Sequence, residues 1–222
     1  MPRDQLVTDW VASRFPEQSI QITPASADAS FRRYFRLTWP DGQTRILMDA
    51  PPEKEDCKPF IHVAGLLAKA DLAAPRILDK DLDNGFLVLT DLGRIGYLDA
   101  LNADLSLADM LMRPVLDVLV KWQCSSTAAT LPPYDAALLR RELDLFPEWF
   151  IGRHLGVELD DSEKTMLDRT FKFLINSALN QPQVFVHRDF MPRNLMVVES
   201  EARLTPGIID FQDAVMGPIT YD

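Results

Sequence analysis

The chain has 222 residues, 47% of them hydrophobic and 25% charged, enough to bury one sizeable core or two modest ones. Its 33 acidic residues outnumber 23 basic ones for a net charge of −10, which argues against the clustered basic surface needed by nucleic acid or an anionic membrane. A single small polyanion is still compatible, because a local arginine pair or a metal ion overrides the global field.

The N-terminal MPRDQLVTDWVASRF has no apolar h-region, and no stretch reaches the roughly 18 uncharged residues of a membrane span. A cytoplasmic location without a membrane partner is expected. Residues 4–15, DQLVTDWVASRF, predict a short amphipathic helix, with Asp4 as N-cap and Leu6, Val7, Trp10 and Val11 on one face. In SFRRYFRLTW, residues 31, 33, 35, 37 and 39 alternate with 32, 34, 36 and 38 at strand period. Pro40-Asp41-Gly42 makes a turn, and TRILMDA returns as a second strand. FIHVAGLLAKA predicts a helix with Pro59 in its first turn. RILDKD and GFLVLTD flank Asn84-Gly85, a strong hairpin signal. Residues 1–93 thus read as a sheet with one long helix laid on it. Cys57 and Cys124 have neither C-x-x-C spacing nor a histidine cluster, so no disulfide framework or zinc site is expected.

After the link DLGRIG the character changes. SLADMLMRPVLDVLVKWQC predicts a helix, with Ser106 and Asp109 as a capping box and Pro114 kinking or splitting it. DAALLRRELDLF, PEWFIGRHLG and SEKTMLDRTFKFLINSALN follow as helices, the last with a stripe of Leu167, Phe171, Leu174 and Ala178. VFVHRDFMPRNLMVV and LTPGIIDFQDAVMGPITYD add short strands. The fold class is therefore α+β: a β-rich lobe over 1–93 and a mainly helical lobe over 94–222.

Two apolar runs in residues 184–198 enclose His187, Arg188, Asp189, Arg193 and Asn194. A polar hairpin turn explains such a cluster by itself. The spacing H-x-D-x-x-x-x-N, followed by a strand ending at Asp210, points instead to phosphoryl transfer. That chemistry needs a carboxylate within reach of an attacking hydroxyl, a role for Asp189. It also needs oxygen ligands for magnesium beside a triphosphate, which Asn194 and Asp210 offer as an amide and a carboxylate. His187 reads as a packed organiser of the loop. Turn chemistry does not require the later Ile208-Ile209-Asp210, which tips the balance.

The segments ASFRRYFRL, ILMDAPPE, LVLTDLG, RELDLFPEWFIGRHLG, VFVHRDFMPRNLMV and GIIDFQDAVMGPITYD together resemble the aminoglycoside phosphotransferase/choline kinase-like family. Within it the chain is most similar to the bacterial anomeric N-acetylmuramate and N-acetylglucosamine kinases of peptidoglycan recycling. The resemblance implies a two-lobed protein-kinase-like fold, with a nucleotide-binding lobe over 1–93 and a catalytic lobe over 94–222. It implies ATP and Mg2+ as cofactors and a small amino sugar as acceptor, phosphorylated at C1. Ser30, Phe31 and Arg32 would then lie at the phosphates, and Asp91 and Leu92 at the adenine. Glu142, Trp149 and Arg153 would lie on helices facing the acceptor, and Asp222 would be structural. Relatives continue past GPITYD with helices that complete the acceptor pocket, so part of that pocket is expected beyond Asp222.

Four departures from the family pattern stand out. Met48 falls where a strand lysine is usual, FIHVAGLLAKA contains no glutamate, Met191 stands where many relatives have histidine or lysine, and ADASFRRYF contains no glycine. Either another cation neutralises the phosphates or the chain is a pseudokinase acting as an interaction module. A kinase of another small alcohol or of an aminoglycoside is a further alternative. Arg32 is the expected substitute cation, because Arg33 shares its strand face with Phe31, Phe35, Leu37 and Trp39. Arg32 lies on the opposite face with Tyr34 and Arg36.

Overall fold

The structure is a computed structural model that describes residues 2–16, 19–27, 31–126, 131–200 and 203–222. The chain forms two compact units, Met1–Val115 with Pro192–Gln212, and Leu116–Met191 with Asp213–Asp222. The first unit therefore runs past Gly93 and takes in a later hairpin.

In the first unit, β1 (Gln21–Ala27), β2 (Arg33–Thr38), β3 (Thr44–Asp49), β4 (Ile77–Asp81) and β5 (Phe86–Thr90) make one antiparallel sheet in the order β1-β2-β3-β5-β4. Strand β1 was not legible in the sequence. It carries Pro24, an edge-strand residue, and its register slips between Pro24 and Ser26. Helix α1 (Arg3–Arg14) lays Val7, Trp10 and Val11 against Leu37, Leu47, Phe86 and Val88. Burying each such side chain stabilises the fold by about 1.5–3 kcal/mol. Two helices therefore accompany the strands in sequence, α1 and α2 (Cys57–Lys69), both at the positions expected. Asp56 caps α2 by accepting from Lys58 N–H, and Pro59 sits in its first turn.

Asp4 does not cap α1. Pro2 occupies that position, and the Asp4 carboxylate pairs with Arg33 at 2.5 Å. Arg33 and Arg3 both reach Asp49 at 2.6 Å, and the Asp49 side chain is fully buried. Asn84-Gly85 turns as expected. Asp81 accepts from the Asn84 backbone and side chain, and Gly85 takes φ +71°. A Cβ on Gly85 would lie 1.9 Å from the Ala50 carbonyl oxygen, so no other residue fits there.

Helix α3 (Tyr97–Ala103) leads to α4 (Ala108–Cys124), which runs through Pro114 as one helix. The Ser106/Asp109 capping box does not form, because Asp104 takes the Ser106 N–H instead. The second unit holds α5 (Ala136–Leu145), a π-helical segment Phe146–His154, α6 (Asp161–Leu179) and β6 (Gln183–Val186). A capping box of Asp160 and Glu163 opens α6. Its buried stripe is Phe171 and Ile175, and Leu174 is exposed. Later come the hairpin β7 (Leu195–Ser200) and β8 (Arg203–Ile208) in the first unit and β9 (Val215–Pro218) in the second. β6 pairs with β9, and Tyr134, Leu139, Ile175, Val186 and Val215 form that unit's core. Among the described residues no helix is long and apolar enough to cross a membrane.

Candidate active site

β6 and β7 flank the HRD segment but do not pair with each other: β6 pairs with β9 and β7 with β8. The segment is therefore no hairpin turn. Three described non-glycine residues, Asp71, Arg188 and Asp210, take positive φ (50°, 80° and 62°), and the last two belong to the motif. Aspartate tolerates this region, whereas an arginine held there costs about 1–3 kcal/mol and persists only where its surroundings fix it.

In the second unit those surroundings are visible. The Asp222 carboxylate accepts from His187 N–H at 2.6 Å and Arg188 N–H at 2.9 Å. Burial pushes the Asp222 carboxyl above its ordinary value, and the two backbone hydrogen bonds oppose this. His187 is buried, its Nδ1 accepts from Asp189 N–H at 3.3 Å, and its ring meets Phe190 edge-on. Met191 N–H closes the turn on the Asp189 carbonyl at 2.9 Å. Asp189 itself is exposed. The result is an exposed carboxylate on a tightly fixed backbone, the arrangement a proton acceptor needs.

The Glu142 carboxylate is bonded within the second unit. Its Oε1 accepts from Arg188 Nη2 at 2.6 Å, and its Oε2 accepts from the Tyr134 hydroxyl. Burial, and then this carboxylate, push the Tyr134 phenol well above its usual range. Trp149 and Arg153 pair with each other on the exposed π-helical segment. The guanidinium lies 3.8 Å over the indole and bonds Glu148 at 3.0 Å.

In the first unit the register of β7 and β8 sets the Asn194 backbone beside that of Ile209, one residue before Asp210. Leu195 faces Ile208, and Ile209 N–H donates to the Asn194 carbonyl at 3.1 Å. Asn194 is buried, and Asp210 Oδ1 accepts from Gln212 Nε2 at 2.8 Å. An amide oxygen and a carboxylate suit magnesium, which takes one or two protein ligands and completes its shell with phosphate and water. Among the described residues no cluster of three or more His, Cys, Asp or Glu forms a protein-only metal cage.

Met48 is fully buried, opposite Tyr34 and Leu87 in the sheet, so no cation stands at that strand position. Ser30 lies outside the described residues. Phe31 is exposed, with its N–H on Glu55 and Lys54 over its ring at 5.3 Å, and Arg32 is half-buried. Arg33 is taken by Asp49 and Asp4, in keeping with its assignment to the core face. Arg36 is not on a solvated face. It is buried and bonds Asp91 at 2.6 and 3.1 Å and the Gly93 carbonyl at 2.7 Å. Burial pushes the Asp91 carboxyl up. The Arg36 bonds and the Gly93 N–H outweigh it, holding Asp91 below its ordinary value. Leu92 packs on the hairpin at Gly207, where a Cβ would come within 2.9 Å of it. This Arg36 clamp was missed because its partners lie 55 residues apart.

A model of the phosphotransferase enzyme family, APH, matches residues 21–222. The chain belongs to this family. It is 51% identical to an N-acetylmuramate/N-acetylglucosamine kinase of Pseudomonas aeruginosa over 99% of its own length and 66% of that protein's. A kinase of the same name from Pseudomonas putida is 52% identical over 90% of the chain and 57% of the relative. The chain thus spans less than two thirds of the length of these curated relatives. Its fold matches the GDP complex of aminoglycoside 2'-phosphotransferase-IIIa with a TM-score of 0.62. The match has 19% identity and covers 99% of this chain and 75% of that one. The α+β fold and the family expected from the sequence are both borne out.

Proposed function

We propose that the chain carries the chemistry of an ATP-dependent kinase that phosphorylates the anomeric C1 hydroxyl of N-acetylmuramate or N-acetylglucosamine in the cytoplasm. The observation that carries this reading is the exposed Asp189 directly after Arg188, whose left-handed backbone is held by Asp222. A pseudokinase has no use for that strain. In this phosphotransferase Asp189 accepts the proton of the sugar hydroxyl as its oxygen bonds the γ-phosphorus and the bond to the ADP oxygen breaks. Asn194 and Asp210 would hold a magnesium ion, which would supply charge neutralisation to the triphosphate. The side chain of Asp91 is occupied by Arg36, so the backbone at Asp91 and Leu92 is what a base would meet. Trp149, with Arg153 stacked on it, offers a face to a sugar ring. The relatives named as N-acetylmuramate/N-acetylglucosamine kinases favour an amino sugar over an aminoglycoside or choline, because the likeness to aminoglycoside phosphotransferases extends to the fold alone.

The test is phosphorus NMR of the intact protein with Mg-ATP and either sugar. A sugar 1-phosphate signal is expected, and a 6-phosphate or an acceptor-independent ATPase would overturn the assignment. Asp210→Ala should weaken Mg-ATP binding about 10-fold or more, as losses around metal ligands do, while leaving metal-free ATP binding unchanged. Titration of ATP with and without magnesium reads both.

Arg32→Ala should raise KM for ATP about 10- to 150-fold, the value of a lost charge-assisted contact. The exposed Arg76 serves as the control, because loss of the nearer Arg36 would break the Asp91 clamp. Equal and small effects of Arg32→Ala and Arg76→Ala would assign the phosphates to metal and backbone.

A further inference from the structure

Arg188 holds its left-handed backbone between two carboxylates of the second unit. Asp222 takes the backbone N–H, and Glu142 takes the side chain at 2.6 Å. Glu142 is itself fixed. The Tyr134 hydroxyl donates to Oε2, and the Tyr221 hydroxyl lies 3.4 Å from the same oxygen. Tyr134 is nearly inaccessible, and its N–H donates to the Met216 carbonyl at 2.7 Å. Its ring lies over Gly217, where a Cβ would come within 3.0 Å of it. An unbroken set of contacts therefore runs from β9 through Tyr134 and Glu142 to the residue preceding Asp189. The side chains of Arg188 and Glu142 are 27% and 28% exposed, so water screens their pairing only in part.

We propose that Glu142 is a positioning residue for Asp189, acting through Arg188 as a permanent internal counter-ion. The proposal rests on the kinase reading. Glu142 already neutralises the Arg188 guanidinium, so a resident carboxylate keeps the loop in its reactive shape without an added phosphate. Displacing a reacting group by 1 Å costs about 10²-fold in rate, which sets the scale of the effect.

Glu142→Gln keeps the volume and an oxygen for Tyr134 and removes the charge. In the intact protein it should lower kcat by about 10- to 100-fold with KM for ATP within about 2-fold of wild type. The amides of Arg188 and Asp189 should exchange with deuterium faster while those of β9 do not change. Arg188→Gln should have the same effect, and the double variant should be no worse than either single one. Additive losses in the double variant, or a rise in KM for sugar at unchanged kcat, would overturn the proposal and return Glu142 to acceptor binding. Should Glu142→Gln not fold, Arg188→Gln decides: unchanged kcat and unchanged exchange at Asp189 would overturn it. The exchange measurement needs no substrate, so a wild type inactive on every sugar would sink the kinase reading while the positioning role was still judged.

Discussion

Asp189→Asn is expected to lower kcat by about 10²–10⁴-fold, the usual loss on removing a general base. Binding of Mg-ATP should stay near wild type, because Asn194 and Asp210 are untouched. The substitution is nearly isosteric, and the backbone contacts to His187 and Met191 do not involve the carboxylate. Neither of the carboxylates that hold the loop, Asp222 and Glu142, is altered, so the mutant should unfold at the wild-type denaturant concentration. Single-turnover kinetics with saturating ATP separate the chemical step from product release. A folded Asp189→Asn protein that keeps its kcat would remove Asp189 from the chemistry.

The second large effect concerns stability. Asp49 is buried without exposure and faces two arginines, Arg3 from α1 and Arg33 from β2. Either guanidinium alone can still neutralise it, so Arg33→Met or Arg3→Met singly should cost modestly. Together they strand a buried carboxylate, and the double variant should lose about 3–5 kcal/mol, more than the sum of the single losses. Adding Asp49→Leu removes the stranded charge and should restore most of the loss, since an apolar trio of similar volume often matches a buried ion network. Urea unfolding followed by fluorescence, in a background with Trp122 and Trp149 replaced by phenylalanine, reports the first unit, where Trp10 packs on Phe86 at 5.1 Å. Strict additivity of the two arginine variants would show that Asp49 escapes to solvent.

The strands around Arg33–Thr38, Thr44–Asp49 and the Asn84-Gly85 turn were legible because alternation and turn chemistry are local signals. The candidate cluster from His187 to Asn194 stood out for another reason: residue identity at fixed spacing is what the proposed chemistry requires. What stayed hidden was pairing over distance. Asp4 has the residue type of a cap, yet an arginine 29 positions later offers its carboxylate a stronger partner than a helix N–H. Strand β1 was hidden because Pro24 and its register slip erase the alternation. Glu142 was visible only as a carboxylate on a helix. Its meeting with Arg188 spans 46 residues, and no periodicity reports such a contact.

The clamp of Arg36 on Asp91 constrains how sequences of this kind can drift. With side-chain exposures of 9% and 5%, the two ions have little water to fall back on, and the guanidinium also holds the Gly93 carbonyl. Replacing one partner alone leaves a charge stranded, so the two positions should exchange as a pair, through an intermediate less fit than either end. A homologue carrying a neutral residue at one of them should carry a neutral residue at the other. In a randomised library selected for folding, substitutions at 36 and 91 should be recovered together far more often than their separate frequencies allow.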